Sequence, residues 1–117
     1  MSVVIDASVF VAASRPSEEH YLERIEFLEK LRNEGEPACC PVLVLAECSG
    51  ASARTTQNSS LAERIVLLIE GIQTLQLIPV TLPLARQASS LAGAHRLRGD
   101  DAVYVAVASG FNTHHLG

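Results

Sequence analysis

Three short apolar stretches of this chain each meet a carboxylate, and this pattern constrains the fold more than any other feature. The carboxylates follow Val3-Val4-Ile5 as Asp6, follow residues 42–46 as Glu47, and precede residues 102–106 as the pair Asp100 and Asp101. An ionised carboxylate beside a buried apolar segment costs free energy unless it is paired or binds a metal. Carboxylates that lie close together repel each other and so favour a divalent cation with oxygen ligands. The sequence therefore predicts a metal-dependent active site built from these acids.

Length and composition predict one domain, over residues 1–117, with an aliphatic core. The chain has 117 residues, near the commonest domain size, and 48% of them are hydrophobic while only 4% are aromatic. The formal net charge is -4 and the sequence pI is ≈ 5.5. That balance argues against nucleic-acid binding by phosphate neutralisation alone. A nucleic-acid substrate would need a metal or a local arginine cluster.

The three cysteines indicate a reducing compartment. Cys39, Cys40 and Cys48 have no C-x-x-C spacing, so neither a disulfide framework nor a zinc site is indicated. The sequence shows no signal-peptide pattern and no apolar run of membrane-spanning length. We therefore expect a cytoplasmic protein without a membrane partner.

Strand-like and helix-like segments alternate along the chain, which is typical of an α/β fold with a parallel sheet. Strands are predicted over 2–5, 37–40 and 77–80, and the beginning of a fourth over 111–116. Helices are predicted over 7–14, 18–33, 42–53, 61–75, 82–97 and 100–109. We expect Pro41, the Ser59-Ser60 pair and Asp100 to start the third, fourth and last of these helices. Sites in such sheets form at the carboxyl ends of the strands, and Asp6 lies at one.

Each acid also has an alternative explanation as a purely structural residue. Asp6 is equally well explained as a helix N-cap, and Ser8 either holds a metal-bound water or belongs to the same capping turn. Glu47 faces either a narrow solvent stripe or a cleft, and we favour the cleft because a fully buried glutamate is rare without a partner. One of Asp100 and Asp101 suffices as a cap. We expect Asp101 to be the functional member, in a first turn where the helix dipole favours negative charge.

Other catalytic classes lack their motifs in this sequence. The histidines do not recur at i, i+4 spacing, and there is no nucleophile elbow, phosphate-binding loop or dinucleotide fingerprint. A phospho-acceptor receiver domain is also an α/β protein with aspartates at strand ends. Its chemistry relies on a lysine late in the fold, whereas the only lysine here is Lys30, so this class is set aside.

In order and spacing, the three acidic segments resemble the PIN domain family, and specifically the toxin ribonucleases called VapC. The resemblance spans nearly the whole chain and is carried by Val3-Val4-Ile5-Asp6-Ala7-Ser8, Pro41-Val42-Leu43-Val44-Leu45-Ala46-Glu47 and Leu97-Arg98-Gly99-Asp100-Asp101-Ala102-Val103-Tyr104-Val105-Ala106. It implies a three-layer α/β/α sandwich around a parallel sheet. It also implies an endoribonuclease that hydrolyses RNA phosphodiester bonds with Mg²⁺ or Mn²⁺.

The resemblance also implies roles for individual residues and for partners. Asp6, Glu47 and Asp101 match the family's catalytic acids and metal ligands, and Ser8 matches its auxiliary hydroxyl. Asp100 falls where the family usually has a small residue, and we keep it as an auxiliary candidate. The family members are typically homodimers that a partner antitoxin holds inactive, with an antitoxin peptide across the site.

One segment departs from the family pattern. The family commonly has a fourth acid on a strand after the last helix, but this chain reads Ser-Gly-Phe-Asn-Thr-His-His-Leu-Gly after Ala108. Either the chain stops short of that acid, or His114 or His115 substitutes for it. Three acids support a second metal poorly.

Two hypotheses follow from these patterns. The first is a metal-dependent endoribonuclease in which Arg54, Arg96 and Arg98 grip the RNA backbone, since arginine suits bidentate phosphate contacts. It is equally consistent with the sequence that these arginines are solvated charges at helix ends. The second hypothesis is a catalytically weak or inactive domain of the same fold that acts by binding a protein partner, the antitoxin.

Overall fold

The order of strands and helices follows the alternation in the sequence. A computed structural model describes residues 3–35 and 37–110 and the backbone of 114–116. Within these residues the elements are β1 (Val3–Ile5), α1 (Ala7–Ala13), α2 (Tyr21–Glu34), β2 (Ala38–Pro41), α3 (Leu43–Thr56), α4 (Ser59–Glu70), β3 (Leu75–Ile78), α5 (Leu82–His95), α6 (Gly99–Gly110) and β4 (His114–Leu116).

The strands form one parallel sheet in the order β3-β2-β1-β4. Right-handed crossovers place α1 to α4 on one face of this sheet and α5 and α6 on the other. In agreement, α6 contacts β1, β2 and β4. The predicted three-layer α/β/α fold is therefore confirmed. From β1 the chain adds β2 and then β3 on one side, and it returns to add β4 on the other side of β1. Ligand sites in open α/β sheets form at the point where the strand order reverses in this way. Asp6 follows β1 there.

The core is aliphatic, as the composition predicts. Its main cluster joins the sheet to both helical layers and includes Val4, Ile5, Val44, Ile69 and Val107, each with at most 5% of its surface exposed. Cys39, Cys40 and Cys48 are buried and free, so they act as small apolar residues. A second cluster of alanines lets α5 and α6 approach closely: Ala88, Ala102 and Ala106. Among the described residues, no helix has the length and apolar character needed to cross a membrane.

The start of α3 and the turn before α4 differ from the prediction. Pro41 is the last residue of β2, so α3 begins at Leu43 and not at the proline. Because α3 continues to Thr56, the predicted polar loop shortens to Gln57 and Asn58. The Asn58 side chain, and not a serine, caps α4 by accepting the N–H groups of Ser60 and Leu61 at 3.0 and 3.3 Å. Asparagine ranks with serine as an N-cap, and here it comes one residue earlier.

The second half of the chain shows two further differences and one agreement. β3 begins at Leu75, two residues before the prediction, because α4 already ends at Glu70. α6 begins at Gly99, so Asp100 lies inside its first turn and is not the cap. The predicted fourth strand is present as β4, while residues 111–113 of that prediction lie outside the described residues. Earlier in the chain, Gly35 closes α2 with φ +65° in the left-handed region, where glycine carries little strain.

Candidate active site

Three acids from three different elements come together at the carboxyl edge of the sheet. Asp6 directly follows β1, and Glu47 lies at the start of the second turn of α3, the helix after β2. Asp100 lies in the first turn of α6. Because β1 and β2 pair in parallel, their carboxyl ends share one edge. This edge is where the topology favours a site.

The backbone fixes Asp6 in place. Its carboxylate caps α1 by accepting the Ser8 N–H at 2.9 Å, so the predicted capping role is confirmed. Ser8 itself is exposed and belongs to this turn through its backbone. In the same region the Cys48 thiol donates to the Ala7 carbonyl at 3.7 Å and ties α3 to α1 beside the two acids. This capping hydrogen bond fixes the Asp6 carboxylate at the start of α1.

Glu47 is the acid whose pKa both of the other acids affect. Burial raises its pKa, and a hydrogen bond from Tyr104 lowers it in part. Asp100 raises it again, through a hydrogen bond and through its charge, and the charge of Asp6 adds to the rise. The partly buried carboxyl of Glu47 therefore lies between two like charges. The predicted orientation of Glu47 toward a cleft between elements agrees with these neighbours.

Tyr104 is a residue of this site that the sequence reasoning missed. Its hydroxyl donates to Glu47 Oε1 at 2.8 Å, and the side chain is only 1% exposed. Burial and the Glu47 carboxylate raise the pKa of this phenol far above its usual value, so it stays a donor at every working pH. A signal was available, because Tyr104 follows Asp100 by four residues and so shares its helix face.

Asp100, and not Asp101, is the neighbouring acid of α6 that raises the pKa of Glu47. Asp101 lies in the same turn and is exposed. Positions three and four residues before Tyr104 both lie on its side of the helix, so Asp101 flanks the same face as Asp100. The role of Asp101 as a metal ligand stays a prediction.

The three candidate arginines differ in their surroundings. Arg54 is on α3, seven residues after Glu47 and thus on the same helix face. Gly50 lies between Glu47 and Arg54 on this helix, and a Cβ added to it would come within 3.0 Å of the Arg54 guanidinium. The Arg54 side chain therefore extends toward the N-terminus of α3 and covers Gly50. Arg98 is 84% exposed and pairs loosely with Asp100 at 3.9 Å. Arg96 is exposed and ends α5 with φ +55°.

The histidines proposed to replace a fourth acid are placed by the backbone alone. In β4, His114 pairs with Val3, His115 with Val4 and Leu116 with Ile5. Both histidines therefore precede the end of β1 in register and are not level with Asp6. Their side chains lie outside the described residues, so the substitution stays a prediction.

A divalent cation fits the chemistry of these donors. Carboxylate oxygens are hard ligands suited to Mg²⁺ or Mn²⁺. The like charges that raise the pKa of Glu47 are what such a cation would neutralise. In the described part of the chain, however, no three His, Cys, Asp or Glu side chains are arranged to hold a metal ion. The acids are coupled through Glu47 and do not form a closed ligand set.

Replacing Glu47 by glutamine is expected to stabilise the metal-free protein at neutral pH. The folded state holds the Glu47 proton more tightly than the unfolded state, so stability falls as pH rises from the unfolded to the folded pKa. Above that window the penalty is complete, and glutamine removes it while still accepting the Tyr104 hydrogen bond. Because the carboxyl is only partly buried, we expect Tm at pH 7 in EDTA to rise by about 2 °C.

Thermal unfolding of both proteins from pH 3 to pH 8 checks this expectation. The difference in Tm should vanish below the ordinary pKa of glutamic acid, where both side chains are neutral. A Glu47→Gln protein that is less stable than the wild type at pH 7 would contradict it.

Comparisons with known proteins agree with this architecture. A family model described as the PIN domain matches residues 3–114. The chain is similar to the crystal structure of VapC20 from Mycobacterium tuberculosis, described as a toxin that cleaves the sarcin–ricin loop, with a TM-score of 0.79 and 17% identity over 95% of this chain and 84% of that one. It is also similar to VapBC2 from Rickettsia felis, bound to a DNA fragment from its promoter, with a TM-score of 0.74 and 14% identity over 100% of this chain and 87% of that one. No curated protein matches the chain.

Proposed function

The chain belongs to the PIN domain family, and we propose that it is a metal-dependent endoribonuclease of a toxin–antitoxin pair, of the VapC type. The observation that carries this proposal is the coupling of Asp6, Glu47 and Asp100 at the carboxyl edge of the sheet. Burial, Asp100 and Asp6 all raise the pKa of the Glu47 carboxyl, and stability alone gives no reason to keep an acid at this position. The fold of the two VapC neighbours supports the same assignment.

Each acid has a supported position in the proposed mechanism. Asp6, Glu47 and Asp101 would hold one Mg²⁺ or Mn²⁺, with Asp100 as an auxiliary acid beside Glu47. Such a cation would supply Lewis acidity toward a phosphate oxygen and toward the attacking water. The cap at α1 holds the Asp6 carboxylate, and Tyr104 holds Glu47. Asp101 is exposed, so its carboxylate is accessible to a hydrated ion and to an RNA phosphate.

A fluorescent RNA substrate tests the proposal. The purified wild type should cleave it in Mg²⁺ or Mn²⁺ and should lose this activity in EDTA, and activity should return when excess Mn²⁺ is added. Cleavage that persists in EDTA would exclude the metal-dependent mechanism. Because toxin ribonucleases select their targets, the substrates should include structured RNA loops as well as single strands.

Arg54 is our candidate for contact with the RNA backbone near these acids. It shares the Glu47 face of α3, and Gly50 leaves room for its guanidinium. Arg96 and Arg98 lie before α6, are exposed, and are the other candidates for contact with the RNA backbone. An acidic chain needs such local arginines if it is to bind a polyanion.

A Gly50→Ala substitution is expected to raise stability and weaken RNA binding together. The added methyl group displaces the Arg54 guanidinium, a flexible group that can move at little cost. Alanine in place of glycine within a helix adds about 0.5–1 kcal/mol of stability. We expect the KM for RNA to rise about threefold, in line with the loss of a single exposed charge contact, and Tm to rise as well.

Arg54→Ala is the matched control for this pair of effects. It should raise KM to a similar extent with no gain in Tm. If both variants keep the wild-type KM, Arg54 does not contact the substrate.

The proposed antitoxin has a candidate docking surface on this chain. An apolar groove of about 680 Å³ lies between α1, α2, α4 and β3. Its lining includes Phe10, Leu28, Leu31, Ile65 and Leu68. An amphipathic helix or strand of a partner protein fits a groove of this character. We propose that the product of an adjacent reading frame occupies it, which co-purification of the two gene products would test.

The homodimer is also a proposal. Leu82, on α5 and outside the groove, is 62% exposed, and self-association would cover such a side chain. Light scattering on the purified chain measures the assembly directly.

A catalytically weak or inactive domain is the second candidate function. Two observations favour it: the described residues contain no metal-binding group of three side chains, and the chain carries a groove suited to a partner. Such a protein would bind its antitoxin but would neither bind Mn²⁺ nor cleave RNA.

A further inference from the structure

We propose that Tyr104 is a positioning residue for Glu47, and that its hydroxyl sets the orientation in which this carboxylate meets a divalent cation. The inference rests on the proposed function, because it assigns Glu47 to the metal. It adds a residue outside the acid set that the sequence pattern indicates. The hydrogen bond from the Tyr104 hydroxyl to Glu47 Oε1, at 2.8 Å, carries the proposal.

The donor is held rigidly. Tyr104 is 1% exposed and belongs to the main core cluster, among side chains of the sheet and of both helical layers. Its helix, α6, packs on β1, β2 and β4. Well-packed aromatic rings in protein cores keep one rotamer, because the interior has no room for another. The hydroxyl therefore occupies a fixed point, and the Glu47 oxygen that accepts from it is fixed as well.

The acceptor needs such a constraint. Glu47 has three rotatable side-chain bonds and lies on α3, a different element from its donor, 57 residues away in sequence. A carboxylate fixed through one oxygen presents its other oxygen in a single direction. Metal ligands are generally oriented in this way by hydrogen bonds from neighbouring groups, and loss of such a bond commonly weakens metal binding or activity by 10–100-fold.

Core stability alone does not explain this pair. A phenylalanine or leucine would fill the position of Tyr104 without placing a polar atom in the core. Replacing a buried polar pair with apolar residues of similar volume is often neutral or stabilising. The hydroxyl thus acts on the Glu47 carboxylate, which has Asp6 and Asp100 as neighbouring acids. A role in the site accounts for both residues.

The test is Tyr104→Phe, which removes the donor and keeps the ring. With RNA absent, the Kd for Mn²⁺ measured by calorimetry should rise by about 10–100-fold. With RNA present at saturating Mn²⁺, kcat should fall about tenfold while the KM for RNA stays unchanged, because the substrate contacts are elsewhere. An Mn²⁺ affinity within twofold of the wild type would overturn the inference and leave Tyr104 as a structural residue.

Val107→Ala is the matched control, because it trims a fully buried residue of the same helix whose side chain has no hydrogen-bond donor for Glu47. It should lower Tm and leave the Kd for Mn²⁺ unchanged. If it weakens Mn²⁺ binding as much as Tyr104→Phe does, the effect is general destabilisation and the inference fails.

The wild type separates the two proposals. If it binds Mn²⁺ and cleaves RNA while Tyr104→Phe matches it in both, the positioning role is wrong and the proposed function stands. If the wild type binds no Mn²⁺, the proposed function fails, and the positioning role fails with it.

Discussion

Replacing Asp6 by asparagine is expected to lower RNA cleavage by at least about a hundredfold while the protein stays folded. Polarisation by a bound cation is worth several kcal/mol in the transition state, and each 1.4 kcal/mol or so is tenfold in rate. Asparagine keeps the size and the capping ability of aspartate, so α1 retains its cap to the Ser8 N–H. It removes only the charge. The measurement is kcat/KM for RNA cleavage in Mn²⁺, with Tm recorded on the same preparation.

Glu70→Gln is the control with the same change of net charge. Glu70 ends α4, which leads back to the start of β3 and therefore lies toward the opposite edge of the sheet. We expect its cleavage rate to stay within about twofold of the wild type, as for surface substitutions away from a site. An Asp6→Asn protein that is folded and fully active would show that Asp6 is a helix cap and nothing more.

The second large effect distinguishes the two acids at the start of α6. We expect Asp101→Asn to reduce kcat/KM by at least about a hundredfold, for the same reason as at Asp6. Asp100→Asn should cost about tenfold or less, because it removes a neighbour of Glu47 and not the proposed ligand. The Asp100 variant should also lower the pKa of Glu47, since the neighbouring carboxyl that raises it is gone.

Comparing the two variants in one assay decides between them. Because Asp100 raises the pKa of Glu47, the opposite order is a definite alternative. If Asp100→Asn has the larger effect, the ligand is the acid that the structure places against Glu47, and the family pattern is shifted by one residue at this helix.

The fold was predictable from the sequence because local patterns specify its elements. The β-branched run before Asp6 forms β1, and the repeating apolar positions before Gly35 form α2. Once strands and helices alternate, a parallel sheet with right-handed crossovers follows almost without further information. The carboxyl edge of that sheet then brings Asp6 and Glu47 together. Both acids stand out in the sequence alone, because each interrupts an apolar run.

The details that could not be predicted depend on competition between neighbouring residues. Asn58 and Ser59 are both good caps, and the choice of Asn58 depends on where α3 ends. Pro41 suits either a strand end or a helix start, and its pairing with Ile78 in β3 decides for the strand. Such choices are made by tertiary contacts, which single-sequence patterns do not contain.

The contact between Tyr104 and Glu47 was missed for a different reason. It joins residues 57 positions apart, and no local pattern encodes it. At α6 the structure differs from the prediction by one residue, because the helix starts at Gly99 and Asp100 is the acid that raises the pKa of Glu47.

Calorimetric titration of the metal-free wild type with Mn²⁺ shows whether the acids at the sheet edge bind a metal. We expect a single class of site that Mg²⁺ competes for and that Asp6→Asn abolishes, in a protein that also cleaves RNA when Mn²⁺ is present. A folded wild-type chain that shows no Mn²⁺ binding would contradict it, and the carboxylates at the sheet edge would then belong to a domain that acts through its partner alone.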